Sequence, residues 1–292
     1  IRNVGIALST DHNPRHGLID PYWGGVNAVV EAMRNVAAVG ATPHALSDCL
    51  CFGNPEKPHQ MWEFVEATRG VSDACNAITL KDNPNDATPI IAGNVSFYNE
   101  SKNGAIPPSP IVSCLGRLKD VNKTVPAHFQ KSKSILVLIG ERKDELGGSV
   151  YYSLFHELGA NVPKPNFEEV KNQIFALTDC IDDGMVLSCH DIADGGIASA
   201  LAEMTFGNAI GCKVKIDSVL TMDKFLFSET GGFVLEVSSG NVESVKENFS
   251  KYGLDVFNIG STGGNSIQIN EVVKLPVNKA KDLWTNGLRN KL

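Results

Sequence analysis

The chain has 292 residues, 42% of them hydrophobic and 20% charged, with a formal net charge of −7. That balance fits a globular protein, and the length favours two domains, since single cores stop growing near this size. The longest apolar runs, such as Ile135 to Ile139, are too short to cross a bilayer, and no Lys/Arg cluster offers a phosphate-backbone footprint. Neither a membrane nor a nucleic acid is therefore an expected partner.

Val4 to Ser9 reads as a short strand, followed by a polar loop with Pro and Gly through Gly25. Val26, Val29, Val30, Met33, Val36 and Ala37 then recur at helical spacing, and Gly40 is a natural stop. Pro43 to Leu50 predicts a second strand. A long helix is expected from about Pro58 to Ile78, burying Trp62, Val65 and Val71. Lys81 to Ala87 reads as a polar loop, and Thr88 to Ala92 and Pro110 to Leu118 as further strands. The stretch from Asp120 to Lys133 mixes polar residues with Pro126, which places a domain boundary near residue 130 and gives domains 1–130 and 131–292.

The second part opens with a strand from Ser134 to Ile139. Helical patterns follow at 149–158, 166–181, 195–206 and 242–251. Strands are expected at Met185–Cys189, Cys212–Ile216, Phe233–Val237, 255–260 and 266–270. Helices and strands mix in both parts, so the expected fold class is α/β plus α+β.

Seven cysteines, at 49, 51, 75, 114, 180, 189 and 212, are spread without a C-x-x-C pair. With an odd count and no charged-then-apolar signal pattern, reduced thiols in a cytoplasmic protein are expected. Cys49 and Cys51 are expected to project to opposite faces of their strand. The sequence starts at Ile1 rather than Met, which leads to the expectation of a fragment.

P-loop, zincin and nucleophile-elbow motifs are absent. More informative are three polar clusters at strand ends: Ser9-Thr10-Asp11-His12-Asn13, Ser47-Asp48-Cys49 and Gly93-Asn94-Val95-Ser96. Asp and Asn supply the hard oxygens that Mg²⁺ prefers, and Gly lets a phosphate approach the backbone. Each cluster also reads as an ordinary turn or cap. The five Gly-Gly pairs, at 24–25, 147–148, 195–196, 231–232 and 263–264, read mostly as turns. His190-Asp191-Ile192-Ala193-Asp194-Gly195-Gly196 reads as an anion-binding helix start, a general-base site or a plain cap. None of His12, His44, His59 and His190 has metal-ligand spacing.

These residues resemble a known family. Thr10-Asp11 with Asn13 and Arg15, then Asp20-Pro21-Tyr22 and Gly24-Gly25, are similar to the opening of the second half of formylglycinamidine ribonucleotide synthetases. The resemblance runs through Asp48-Cys49-Leu50-Cys51-Phe52-Gly53-Asn54-Pro55-Glu56-Lys57-Pro58, Gly93 to Glu100, and Pro108 to Val112. It ends with Glu145 to Ser149 and His190 to Gly196, so it covers essentially the whole chain.

The resemblance implies a two-domain aminoimidazole ribonucleotide synthetase-like fold whose N-terminal domain contributes to an interface β-barrel. It implies a ligase: ATP phosphorylates the formamide oxygen of formylglycinamide ribonucleotide, and ammonia displaces phosphate to leave an amidine. ATP and Mg²⁺ are the implied small-molecule requirements. Implied partners are the N-terminal half of the same synthetase, a glutaminase subunit and a small accessory subunit, with a homodimer expected for the chain alone. By matching motif, Asp48 and Gly93 contact ATP, Asn94 ligates Mg²⁺ and Ser96 touches substrate. No residue inherits the family's catalytic histidine, whose motif has no counterpart here.

Departures are His16, where Tyr is common, Lys81 to Ala87, which reads as an insertion, and Ser228 to Gly232, which match only partly. Two other readings compete: another ATP-using synthetase of the superfamily, such as aminoimidazole ribonucleotide or selenophosphate synthetase, or a non-catalytic nucleotide-binding and interface module.

Overall fold

The structure is a computed structural model and describes residues 3–291. In chain order the first part comprises β1 (Gly5–Asp11), α1 (Pro14–Ile19), α2 (Pro21–Ala38), β2 (Thr42–Cys51), α3 (Pro58–Ala77), β3 (Thr79–Leu80), β4 (Asn83–Ala87), β5 (Ile90–Ser96), β6 (Glu100–Ser101), β7 (Gly104–Ala105) and β8 (Ser109–Leu118). The second comprises β9 (Ile135–Ile139), α4 (Val150–Ser153), α5 (Phe167–Asp182), β10 (Val186–Asp191), α6 (Gly196–Phe206), β11 (Cys212–Val214), α7 (Met222–Phe227), β12 (Phe233–Val237), α8 (Val242–Ser250), β13 (Val256–Thr262), β14 (Ser266–Ile269), β15 (Val273–Pro276) and α9 (Val277–Asn286).

Four strands of the first part form an open sheet in the order β1-β8-β2-β5. β2 and β5 run parallel and are joined through α3, as a parallel pair requires a long crossover. The second sheet has seven strands in the order β10-β12-β9-β13-β11-β14-β15. Helix α2 lies on the first sheet and packs against α5, which faces the second. One apolar cluster is consequently continuous from Val29, Met33 and Leu46 to Ile174, Leu177 and Phe233. A second cluster, with Leu136, Leu201, Met204 and Phe225, fills the opposite face of the seven-stranded sheet beneath α6, α7 and α9. The two sheets thus share a helical layer instead of enclosing separate cores.

The segment expected as a loop through Gly25 is instead helical. Asn13 caps α1 by accepting from the N–H groups of Arg15 and His16, and the Asp20 side chain accepts from Trp23 N. Pro14 and Pro21 take the first helical positions, where a missing N–H costs nothing. Gly24-Gly25 is therefore no turn. A Cβ on Gly25 would lie 2.2 Å from Ala67 O, and one on Gly70 would lie 2.0 Å from Tyr22 O. Glycine at both positions lets the α2 and α3 backbones touch.

Along α3 the buried stripe is Ala67, Gly70, Val71, Ala74 and Cys75. Trp62 and Val65 lie off this stripe and are about half exposed, against expectation, while Val71 is buried. Lys81 to Ala87 falls in the β3–β4 hairpin instead of a bare loop. The helix expected over 149–158 stops at Ser153, and His156 beyond it takes a positive φ of 58°. Helices α7 and α9 and strand β15 are additional elements. No described helix is long and apolar enough to cross a membrane.

Candidate functional site

The carboxyl ends of the parallel strands β2 and β5 lie side by side, with Asp48 opposite Gly93, Cys49 opposite Asn94 and Cys51 opposite Ser96. Ligands commonly gather outside such strand ends. The loops that follow are tied to each other. Asn99 Nδ2 donates to Phe52 O at 3.0 Å and to Ser96 O at 2.9 Å, Lys57 pairs with Glu100 at 2.7 Å, and Tyr98 Oη donates to Glu56 at 3.3 Å. The two long motifs read from the sequence are thus one surface.

Alternation along the strands divides that surface. Asp48 and Gly93 face the helical layer. A Cβ at residue 93 would lie 2.1 Å from Asp48 Oδ1, so the absent side chain makes room for the carboxylate itself. Asp48 borders a cavity of about 290 Å³ with Thr68, Ser72, Cys75, Asn76 and Thr88. Burial there pushes its pKa above the usual carboxylate value.

Asn94 and Ser96 occupy the opposite, open face with Cys49 and Cys51. Asn94 Nδ2 lies 3.4 Å from Cys49 Sγ, and the two sulfurs lie 3.6 Å apart. The expected separation of Cys49 and Cys51 is corrected here, because residues two apart on a strand share a face. All seven cysteines are free thiols.

Asp48 and Asn94 therefore cannot jointly ligate one ion from a common face. Among the described residues no three His, Cys, Asp or Glu side chains are arranged to hold a metal. Asn94 and Ser96 offer one amide and one hydroxyl, too few hard oxygens for Mg²⁺ without donors from phosphate, water or another polypeptide.

A second polar cluster, not assembled from the sequence, lies between the two sheets. Asp11 at the end of β1, Glu31 and Asn35 one turn apart on α2, and Asp191 at the end of β10 converge beside Asp194. Asn35 Nδ2 donates to Asp11 Oδ1 at 3.0 Å, while Asp11 Oδ2 and Asp191 Oδ2 are buried without hydrogen-bond partners. Burial pushes Glu31 up to about 8; Arg34 opposes this, and Asp11, Asp191 and Asp194 add to it. Burial alone would lower His190, but its contacts with Asp191 and Glu203 outweigh that and hold it at about 10.

Behind the carboxylates sit two buried guanidinium groups, Arg34 and Arg142, whose Nε atoms have no partner. Arg142 donates to the carbonyls of Ser228, Thr230 and Gly231, and burial lowers its pKa to about 9. Glu229 accepts from Val150 N at 2.7 Å and Gly195 N at 2.9 Å and faces His16 at 3.6 Å. Orphaned hard oxygens beside orphaned guanidinium donors suit a cation–phosphate pair chemically, although no metal cage is preformed. The i, i+4 spacing of Glu31 and Asn35 was the available sequence signal; their partners come from strands far away in the chain.

Comparison with known proteins agrees with this architecture. The family description "AIR synthase related protein, N-terminal domain" matches residues 2–118, and "AIR synthase related protein, C-terminal domain" matches residues 133–269. The chain belongs to the AIR synthase related family. It is 44% identical over 295 aligned positions to the phosphoribosylformylglycinamidine synthase subunit PurL of Methanothrix thermoacetophila, covering 99% of this chain and 38% of that protein. The PurL subunit of a Nocardioides species is 38% identical, over 98% of this chain and 37% of its own length. The chain thus spans well under half the length of these curated relatives. In fold it is similar to Thermotoga maritima PurL complexed with FGAR, with a TM-score of 0.79 and 19% identity over 95% of this chain and 46% of that one.

Proposed function

We propose that the chain is the C-terminal half of a phosphoribosylformylglycinamidine synthase. In this reading the enzyme converts formylglycinamide ribonucleotide to the amidine with ATP and ammonia, through an iminophosphate, in cytoplasmic purine biosynthesis. One observation carries the reading: 44% identity to a named synthase subunit runs through 99% of the chain, both sheets included. The solved complexes of Thermotoga maritima PurL with ATP and with ADP support a nucleotide as the second substrate.

The open face gives the reading a physical form. Its rows carry Ile6 and Leu8, 65% and 69% exposed, alongside Asn94 and Ser96. Apolar side chains in such a row favour a covering partner. The partner in this reading is the N-terminal half, whose own open sheet closes the interface barrel and supplies the catalytic histidine. Asn94 then contributes one Mg²⁺ ligand and Ser96 a substrate contact, while Asp48 and Gly93 meet ATP around the β5 edge. Mg²⁺, when bound, neutralises phosphate charge; Asn99 and the Lys57–Glu100 pair hold the Ser96 loop in place. Ammonia reaches the site from a glutaminase subunit, with a small accessory subunit; a Thermotoga maritima PurLQS assembly supports such partners.

Steady-state ADP release by the full-length protein tests this. It should require formylglycinamide ribonucleotide, Mg²⁺ and ammonium together. ADP release indifferent to the ribonucleotide would overturn the proposal.

The interdomain cluster favours a second reading, in which this half also holds a nucleotide phosphate and a cation without turning them over. Asp11, Glu31, Asn35 and Asp191 are the cation's donors, and Arg34 and Arg142 stand behind the phosphate. Equilibrium dialysis would then find a nucleotide retained by the full-length protein and lost on Glu31→Gln with Asp191→Asn. Retention unchanged by the double substitution would reject this.

A further inference from the structure

Ser96 ends β5 on the open face, and among the described residues its hydroxyl meets one hydrogen-bonding partner, Asn99. Asn99 is itself held between the two strand exits. Its N–H donates to Phe52 O at 3.2 Å, and Ile106 N donates to Asn99 O at 3.0 Å. Tyr98 before it takes a positive φ of 59° and donates its N–H to Gly53 O at 2.9 Å. Phe97 anchors the same turn against Phe64, with ring centroids 5.0 Å apart.

The Asn99 amide decides which way the Ser96 hydroxyl points. Nδ2 carries two hydrogens. Its two backbone acceptors, Ser96 O at 2.9 Å and Phe52 O at 3.0 Å, use both. A flipped amide would set Oδ1 against those two carbonyl oxygens, so the orientation is fixed. Nδ2 has no hydrogen left for Ser96 Oγ, although it lies 3.1 Å away. Asn99 Oδ1 lies 3.3 Å from the same Oγ, and only the hydroxyl hydrogen can join two oxygens. Ser96 therefore donates to Asn99, and the lone pairs of Oγ are what remain for a ligand.

We propose that Asn99 is a positioning residue that makes Ser96 Oγ an acceptor, so that Ser96 reads an N–H or O–H group of the bound ribonucleotide and not its phosphate. This rests on the reading that Ser96 meets formylglycinamide ribonucleotide. That molecule offers donors in its ribose hydroxyls and its two amide N–H groups, whereas its carbonyl oxygens and ionised phosphate accept. A phosphate oxygen placed here would meet lone pair with lone pair, which selects against that end of the substrate.

Steady-state ADP release by the full-length protein tests this. The probes are formylglycinamide ribonucleotide, analogues that each lack one donor through ribose deoxygenation or amide N-methylation, and the phosphate-free nucleoside. Ser96→Ala should raise KM for the ribonucleotide about three- to tenfold, the worth of one neutral hydrogen bond, with a smaller change in kcat. Ser96→Thr, which keeps the hydroxyl, should restore KM. Asn99→Ala should raise KM by itself and add nothing once Ser96 is alanine, a coupling that a merely structural role would not produce. One donor-deleted analogue should be penalised by the wild type and not by Ser96→Ala, while the phosphate-free nucleoside is penalised equally by both. A phosphate penalty that shrinks in Ser96→Ala would overturn the inference, as would a KM unchanged by that substitution. Should Asn99→Ala misfold, the analogue series with Ser96→Ala decides the question. Wild-type ADP release indifferent to the ribonucleotide would remove the underlying reading, and this inference with it.

Discussion

Asp48 stands opposite Gly93 across the parallel β2–β5 pair, its carboxylate Oδ1 filling the space where a Cβ at residue 93 would go. Gly93→Ala therefore sets a methyl group 2.1 Å from that oxygen. The side chain must leave its cavity or the strands must part, at a cost of about 1–3 kcal/mol, as for overpacked cores. Removing the carboxylate as well, in Gly93→Ala with Asp48→Ala, should recover most of that loss. Thermal melts of the two single variants and the double measure the coupling; purely additive losses would contradict the contact.

Lys81 carries a prediction about how the two sheets are tied together. Its ammonium donates to Phe175 O, Thr178 Oγ1 and Asp179 Oδ1 on α5, each within 2.8 Å. Lys81→Met keeps the apolar stem but leaves these acceptors without their donor, a loss of about 1–3 kcal/mol. Burial pushes the Asp179 carboxyl up, but hydrogen bonds from Lys81 and Tyr252 outweigh it and hold the pKa below 3.8. A depressed carboxylate contributes stability above its unfolded value, and that contribution fades as pH falls through the folded one. The melting gap between wild type and variant should thus be full at pH 7 and shrink below about pH 3.8. A gap independent of pH would sink this account.

The apolar row on β1 predicts the behaviour of the chain in isolation. Leu8 lies opposite Leu115 and Ile6 opposite Arg117, on the face away from the helices. A sheet that leaves this row uncovered should pair with a second copy through the same patch. Sedimentation at micromolar concentration should find a dimer, and Leu8→Lys should return it to monomer. A wild-type chain that remains monomeric would contradict the open face as an interface.

Much of the framework was legible because periodicity and local chemistry agreed. β8, α5 and β12 carry clean apolar patterns, and α3 begins at the proline expected of it. Helix α1 and the first turn of α2 were missed, although the body of α2 was read from Val26 onward, because Pro14 and Pro21 read as loop residues when their N-caps, Asn13 and Asp20, were not weighed with them. Asp48, Gly93, Asn94 and Ser96 were marked by motif, and pairing does bring their strands together. Their division between two faces also followed from strand alternation, but only once the register of β2 against β5 was known. The cluster of Asp11, Glu31, Asn35 and Asp191 was illegible for a different reason: it depends on α2 packing between sheets from opposite ends of the chain.

The central claim is that Asn94 faces a nucleotide–metal site completed by another polypeptide half, not merely a neighbouring cysteine. Asn94→Leu removes the amide oxygen while keeping similar volume on an exposed strand. Calorimetric titration of the full-length protein with MgATP, paired with a thermal melt of the same variant, measures both consequences. The account predicts affinity weakened at least tenfold, about 1.4 kcal/mol or more, with the melt unchanged. Unchanged MgATP affinity with a lowered melt would show that Asn94 is a structural residue and contradict the account.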